Sequence, residues 1–134
     1  MSSTKYQFSG RCACGSIHYQ CTSLPEFSLI CQCRQCQRIT GTGHAAQFAM
    51  CSESITIQGD VQTFNYTSDE GNTVTSAFCG HCGNPVYKTT TMMPEFFVFH
   101  AGTLDNPDQY QPEMVVFSKS GQQWDHVDPA LPRQ

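Results

Sequence analysis

Seven of the nine cysteines in this 134-residue chain fall into three tight groups: Cys12-Ala13-Cys14, Cys31-Gln32-Cys33-Arg34-Gln35-Cys36 and Cys79-Gly80-His81-Cys82. Thiolates at such spacings bring two ligands to one ion at little loop-closure cost, and Zn²⁺ takes them tetrahedrally. Gly10 and Gly15 bracket the first group, while Gly80 and Gly83 lie in and after the third. Glycine lets the chain turn tightly and aim backbone amides at a metal-bound sulfur. The odd count argues against a closed disulfide framework. Cys21 and Cys51 stand apart and read as small buried hydrophobes.

Counting ligands divides the groups. Cys12, Cys14, Cys79 and Cys82 complete one closed four-thiolate site, which reads as structural. Cys31, Cys33 and Cys36 remain for a second ion, and three protein ligands leave an open position, as at catalytic zinc. Two other closures of the second site stay open. A histidine (His18, His44, His81, His100 or His126) would complete it as a structural site, and so would Cys51. An iron–sulfur cluster is less natural beside a four-thiolate zinc knuckle.

Composition explains why such a chain needs a staple. Ile, Leu, Val and Phe together supply 25 of 134 residues, only four of them leucine. With charged residues at 13% and a net charge of −4, the shortage does not indicate disorder. Metal would offset the thin core. Seven Lys and Arg against eleven Asp and Glu give no basic patch for nucleic acid. No apolar run approaches the roughly 20 residues that span a bilayer. The first eight residues lack the apolar stretch of a secretory leader, so a cytoplasmic location with reduced thiols is expected.

The chain reads as one domain over residues 1–134, with its core in about 8–125 and an irregular tail from Val127. Alternation predicts strands over 16–21, 46–50, 54–57, 61–66 and 73–78, with denser runs at 95–100 and 114–118. Gln58-Gly59-Asp60, Asp69-Glu70-Gly71-Asn72, Gly83-Asn84-Pro85 and Asp105-Asn106-Pro107 supply the turns. The best helical segment is one or two turns around Cys33–Ile39. An antiparallel all-β fold is expected.

The three cysteine motifs, in this order, resemble the glutathione-dependent formaldehyde-activating family, which includes centromere protein V. Gly10-Arg11-Cys12-Ala13-Cys14-Gly15 matches the opening motif. Cys31 to Gly41, with Arg38, Thr40 and Gly41, matches the central one, and Phe78-Cys79-Gly80-His81-Cys82-Gly83 the third. Ala101-Gly102-Thr103-Leu104-Asp105, Trp124 and Asp128-Pro129-Ala130-Leu131-Pro132 are similar to short bacterial members. The resemblance implies a β-tent fold of small antiparallel sheets, two zinc ions and the ligand partition given by counting. It also implies carbon–sulfur lyase-type chemistry, joining the thiol of glutathione to formaldehyde as S-hydroxymethylglutathione. One position departs: Gln32 stands where many members carry histidine.

Three thiolates make an electron-rich zinc, a poor acidifier of water but able to hold a further thiol as thiolate. Such a site suits reversible addition of a thiol to a small carbonyl. Arg34 and Arg38, four residues apart, would share a helix face and could pair with substrate carboxylates. His44 is a further candidate for substrate binding or proton transfer. His100 reads as a core residue, and Trp124 as packing or the wall of a pocket. Two other functions fit the same cysteines: a fully ligated zinc module serving interaction, and a thiol redox sensor using the central group.

Overall fold

The computed structural model describes residues 7–134 and is mostly strand. Its strands are β1 (Phe8–Arg11), β2 (His18–Cys21), β3 (Phe27–Cys31), β4 (Ala45–Cys51), β5 (Ile55–Gln58), β6 (Val61–Thr67), β7 (Thr73–Cys79), β8 (Pro85–Thr90), β9 (Phe96–His100) and β10 (Met114–Val116). The sole α-helix among the described residues is α1 (Arg34–Thr40). The strands form a three-stranded sheet, ordered β1-β2-β5, and a seven-stranded sheet, ordered β10-β3-β4-β9-β8-β7-β6. All pairs in the seven-stranded sheet are antiparallel except β10 with β3, a parallel pair joined through a long crossover. The leader reading concerns a segment mostly outside the described residues, since 1–6 are not among them. Among the described residues, no helix is long and apolar enough to cross a membrane.

Period-two alternation decides which faces meet. Phe48 and Met50 of β4, Phe97 and Phe99 of β9 and Tyr87 of β8 turn inward against Phe8, Ile17, Tyr19 and Cys21. Aromatic rings do the work of the missing leucines. Tyr19 stacks on Phe99 with centroids 4.2 Å apart, and Phe48 lies 5.6 Å from Phe99. Gly10 is required at this junction, because a Cβ there would overlap the Tyr19 ring and approach the Thr103 carbonyl oxygen to 2.5 Å. Cys21 is fully buried in the same cluster, and burial pushes its thiol up to about 12. It is an inert packing residue. Cys51, at the end of β4, is half-buried.

The alternate residues of the seven-stranded sheet form its outer face. Leu29, Cys31, Gln47, Val98 and Lys88 lie there, carried by β3, β4, β9 and β8. Three strands were not expected. The glycine and arginine of β1 obscure its period, β3 leads directly into the cysteines, and β8 begins on the proline of a turn. The tail from Val127 forms no strand or helix but folds back on β10. There the Gln134 N–H donates to the Val115 carbonyl at 2.8 Å.

Candidate metal centre

The β1–β2 and β7–β8 turns bring together Cys12, Cys14, Cys79 and Cys82, whose sulfurs all lie within 4.8 Å of one another. None is in a disulfide. Cys12 and Cys79 each stand 3.7 Å from Cys14, sulfur to sulfur. A tetrahedron of 2.3 Å zinc–thiolate bonds has edges of about 3.8 Å, so the donor set fits that ion. The turns also direct donors at sulfur. The Ile17 N–H reaches Cys12 and the His81 N–H reaches Cys79, both at 3.3 Å. Burial opposes ionisation of Cys12, but the Ile17 amide, Cys14, Cys79 and Ser16 outweigh it and bring its pKa down to about 6.

Cys31, Cys33 and Cys36 form the second cluster, again with sulfurs within 4.8 Å of one another. Cys31 closes β3, Cys33 caps α1 and Cys36 lies on the buried side of the helix. The local sequence supports this. Cys33 is extended at the cap and its sulfur accepts the Cys36 N–H at 3.3 Å. Gly41 ends the helix in the left-handed region, at φ 73°. Cys31 and Cys36 sulfurs are 3.5 Å apart. The Cys31 and Cys36 thiols stabilise Cys33 as a thiolate, while hydrogen bonding with Cys31 and Cys33, together with burial, pushes Cys36 up. A divalent cation would relieve that crowding of charge, so the donors fit the group.

Among the described residues, no fourth His, Cys, Asp or Glu ligand atom joins this trio within the same radius. His18 bonds Gln58 on the small sheet, and His81 and His126 are exposed. His100 is half-buried near Cys36 and Lys88; burial and the Lys88 charge bring its pKa down to about 4, so it is neutral near pH 7. Cys51 lies at the opposite end of β4 from Ala45, the strand partner of Cys31. Six residues of strand separate the two ends, about 20 Å.

Arg34 and Arg38 are both exposed, on the side of α1 away from the trio. The cation that does face it is Lys88 of β8, with Nζ 3.9 Å from the Cys36 sulfur. Gln47 Nε2 stands 4.0 Å from the same sulfur. A lysine inside a strand that also carries Val86 and Tyr87 was the available signal. Trp124 is 63% exposed, so it is not a packing residue.

His44 is linked to Gln32, which lies between Cys31 and Cys33, through a network the sequence does not display. Its Nδ1 lies 2.9 Å from both carboxylate oxygens of Asp125, which also accepts from Gln32 Nε2 at 3.0 Å. Gln32 thus keeps a donor where histidine is common. Gln37 Nε2 donates to the Ser120 carbonyl at 3.0 Å, strapping the segment before Asp125 to α1. Two glycines make room: a Cβ on Gly43 would strike Asp125, and one on Gly121 would come within 2.7 Å of Gln32. Burial opposes ionisation of Asp125, yet Gln32 and His44 outweigh it and hold its carboxyl below the usual carboxylate range. Asp125→Ala would leave the buried Gln32 amide unpaired, and is expected to cost about 2 kcal/mol in urea unfolding.

The profile of a family described as "Glutathione-dependent formaldehyde-activating enzyme" matches residues 7–120. No curated protein sequence matches the chain. A crystal structure of a Rhodobacter sphaeroides protein is similar in fold, with a TM-score of 0.61 at 16% identity, covering 94% of this chain and 99% of that one.

Proposed function

Because this chain belongs to the glutathione-dependent formaldehyde-activating family, we propose that Cys31, Cys33 and Cys36 form its reacting centre, which joins a small thiol such as glutathione to formaldehyde or a similar carbonyl. The observation that carries this reading is a trio of sulfurs within 4.8 Å with no fourth protein ligand among the described residues. Cys12, Cys14, Cys79 and Cys82 hold a structural zinc in this account, and the trio holds a second. When bound at the trio, zinc supplies a Lewis-acidic position that keeps an incoming thiol ionised near neutral pH.

The chain's own residues do the rest. Lys88 offsets the negative charge of the three sulfurs, and the Gln47 amide points at Cys36. In the reaction a sulfur–carbon bond forms, the carbonyl π bond breaks, and the thiol proton passes to oxygen. Nothing is oxidised. His44, oriented by Asp125 and one residue from the Cys31 partner Ala45, is the group assigned to carry that proton. The reverse reaction expels the carbonyl, so the same residues give lyase activity.

Titration calorimetry with glutathione on zinc-loaded protein tests this reading. Saturable heat is expected, altered when formaldehyde is added. No heat and no response to formaldehyde would remove glutathione as the thiol.

A further inference from the structure

Beside the trio, the outer face of the seven-stranded sheet carries a groove of about 790 Å³. Leu29, Val98, Met92, Met114 and Phe117 give it an apolar wall, and Cys31 forms part of the same wall. Lys88 and Lys119 are the charged side chains that line it, and no aspartate or glutamate does. Lys88 is matched by the negative trio, while Lys119, on the same wall, makes no ion pair among the described residues. Met92 and Phe117 are 55% and 54% exposed. Phe117 is also the one non-glycine residue with positive φ among the described residues, at 55°. That conformation costs free energy for any side chain with a Cβ. Here it sets an aromatic ring beside the groove, one residue past the strand partner of Cys31.

Glutathione suits this groove poorly. Its two carboxylates, ammonium and peptide groups need polar partners, and burying them against methionine and leucine without such partners is unfavourable. Arg34 and Arg38, the guanidiniums expected to receive those carboxylates, line no part of it. An aliphatic chain gains roughly fourfold in affinity for each methylene buried.

We propose that the groove selects the substrate: an apolar thiol bearing one anionic group, its sulfur at the trio and its chain along Leu29, Met114 and Phe117. This rests on the trio being the reacting centre and replaces glutathione with an amphipathic thiol. Lys119 is the anchor for the anionic group, since Lys88 is engaged with Cys36.

The test compares mercaptooctanoate, octanoate and glutathione by calorimetry on zinc-loaded protein, in the wild type and in Phe117→Gly and Lys119→Gln. Mercaptooctanoate is expected to bind at least tenfold tighter than glutathione, with octanoate weaker but measurable. Phe117→Gly relaxes the left-handed backbone, so it should fold with an undiminished Tm. It should nevertheless weaken both chain-bearing ligands at least fivefold and leave glutathione unchanged. Lys119→Gln should weaken the same two ligands. Glutathione binding as tightly as mercaptooctanoate, or indifference to Phe117→Gly, would overturn the groove assignment while leaving a thiol site in place. Octanoate binding no weaker than mercaptooctanoate would overturn the thiol half of the proposal, and with it the proposed function.

Discussion

Cys12→Ser is expected to leave a chain that does not fold. The four-sulfur site ties the β1–β2 turn to the β7–β8 turn, and so joins the three-stranded sheet to the seven-stranded one. A structural zinc in a small domain contributes about 10–16 kcal/mol, which matches or exceeds the net stability of most domains, about 5–15 kcal/mol. Serine offers a neutral hydroxyl in place of a thiolate and does not replace the ligand. The core has little to spare, because nine phenylalanines and four leucines in 134 residues leave few aliphatic side chains to share the load. Far-UV circular dichroism and soluble yield check this. A cooperative melt near that of the wild type would contradict it.

Cys33→Ser should behave in the opposite way. The trio lies on the outer face of the large sheet with a small cluster of its own, Cys31, Cys36 and Ala45. The main aromatic core contains none of the three sulfurs. Cys33 also caps α1 by accepting the Cys36 N–H, and serine is among the best residues at that position. The helix therefore keeps its cap, and the variant should still fold, its loss of stability confined to the linkage of the second ion. Zinc content should fall by one ion per chain, and thiol binding should weaken by at least 100-fold. Equal loss of folding in Cys12→Ser and Cys33→Ser would end the distinction between a structural and a reacting site.

The cysteine clusters were legible because they are local. Cys-x-Cys and Cys-x-x-Cys place their sulfurs within a turn whatever the surrounding fold, so the clusters in the structure are the groups read from spacing. The helical segment near Cys33–Ile39 was equally local and is α1, Arg34–Thr40. What surrounds the trio was not legible, because it converges through topology. Lys88 arrives from β8, three strands across the sheet from β3, and Asp125 from a segment 93 residues beyond Gln32. The arginines illustrate the same limit. Their i, i+4 spacing does place Arg34 and Arg38 together, but on the side of α1 that faces away from the sheet, since Cys36 and Gln37 are its buried residues. The groove wall was hidden for another reason: Met92 lies in a turn, and Met114 and Phe117 in a dense run without alternation, and only the folded sheet brings the two together.

The central claim is that one zinc is closed by protein and the other is not. X-ray absorption at the zinc edge of the fully loaded protein, before and after adding a thiol, tests it most directly. Two zinc ions per chain are expected. Their average shell should be three and a half sulfurs with a light-atom remainder, rising to four sulfurs when the thiol is added. Four protein ligands at both ions, unchanged by thiol, would contradict the account.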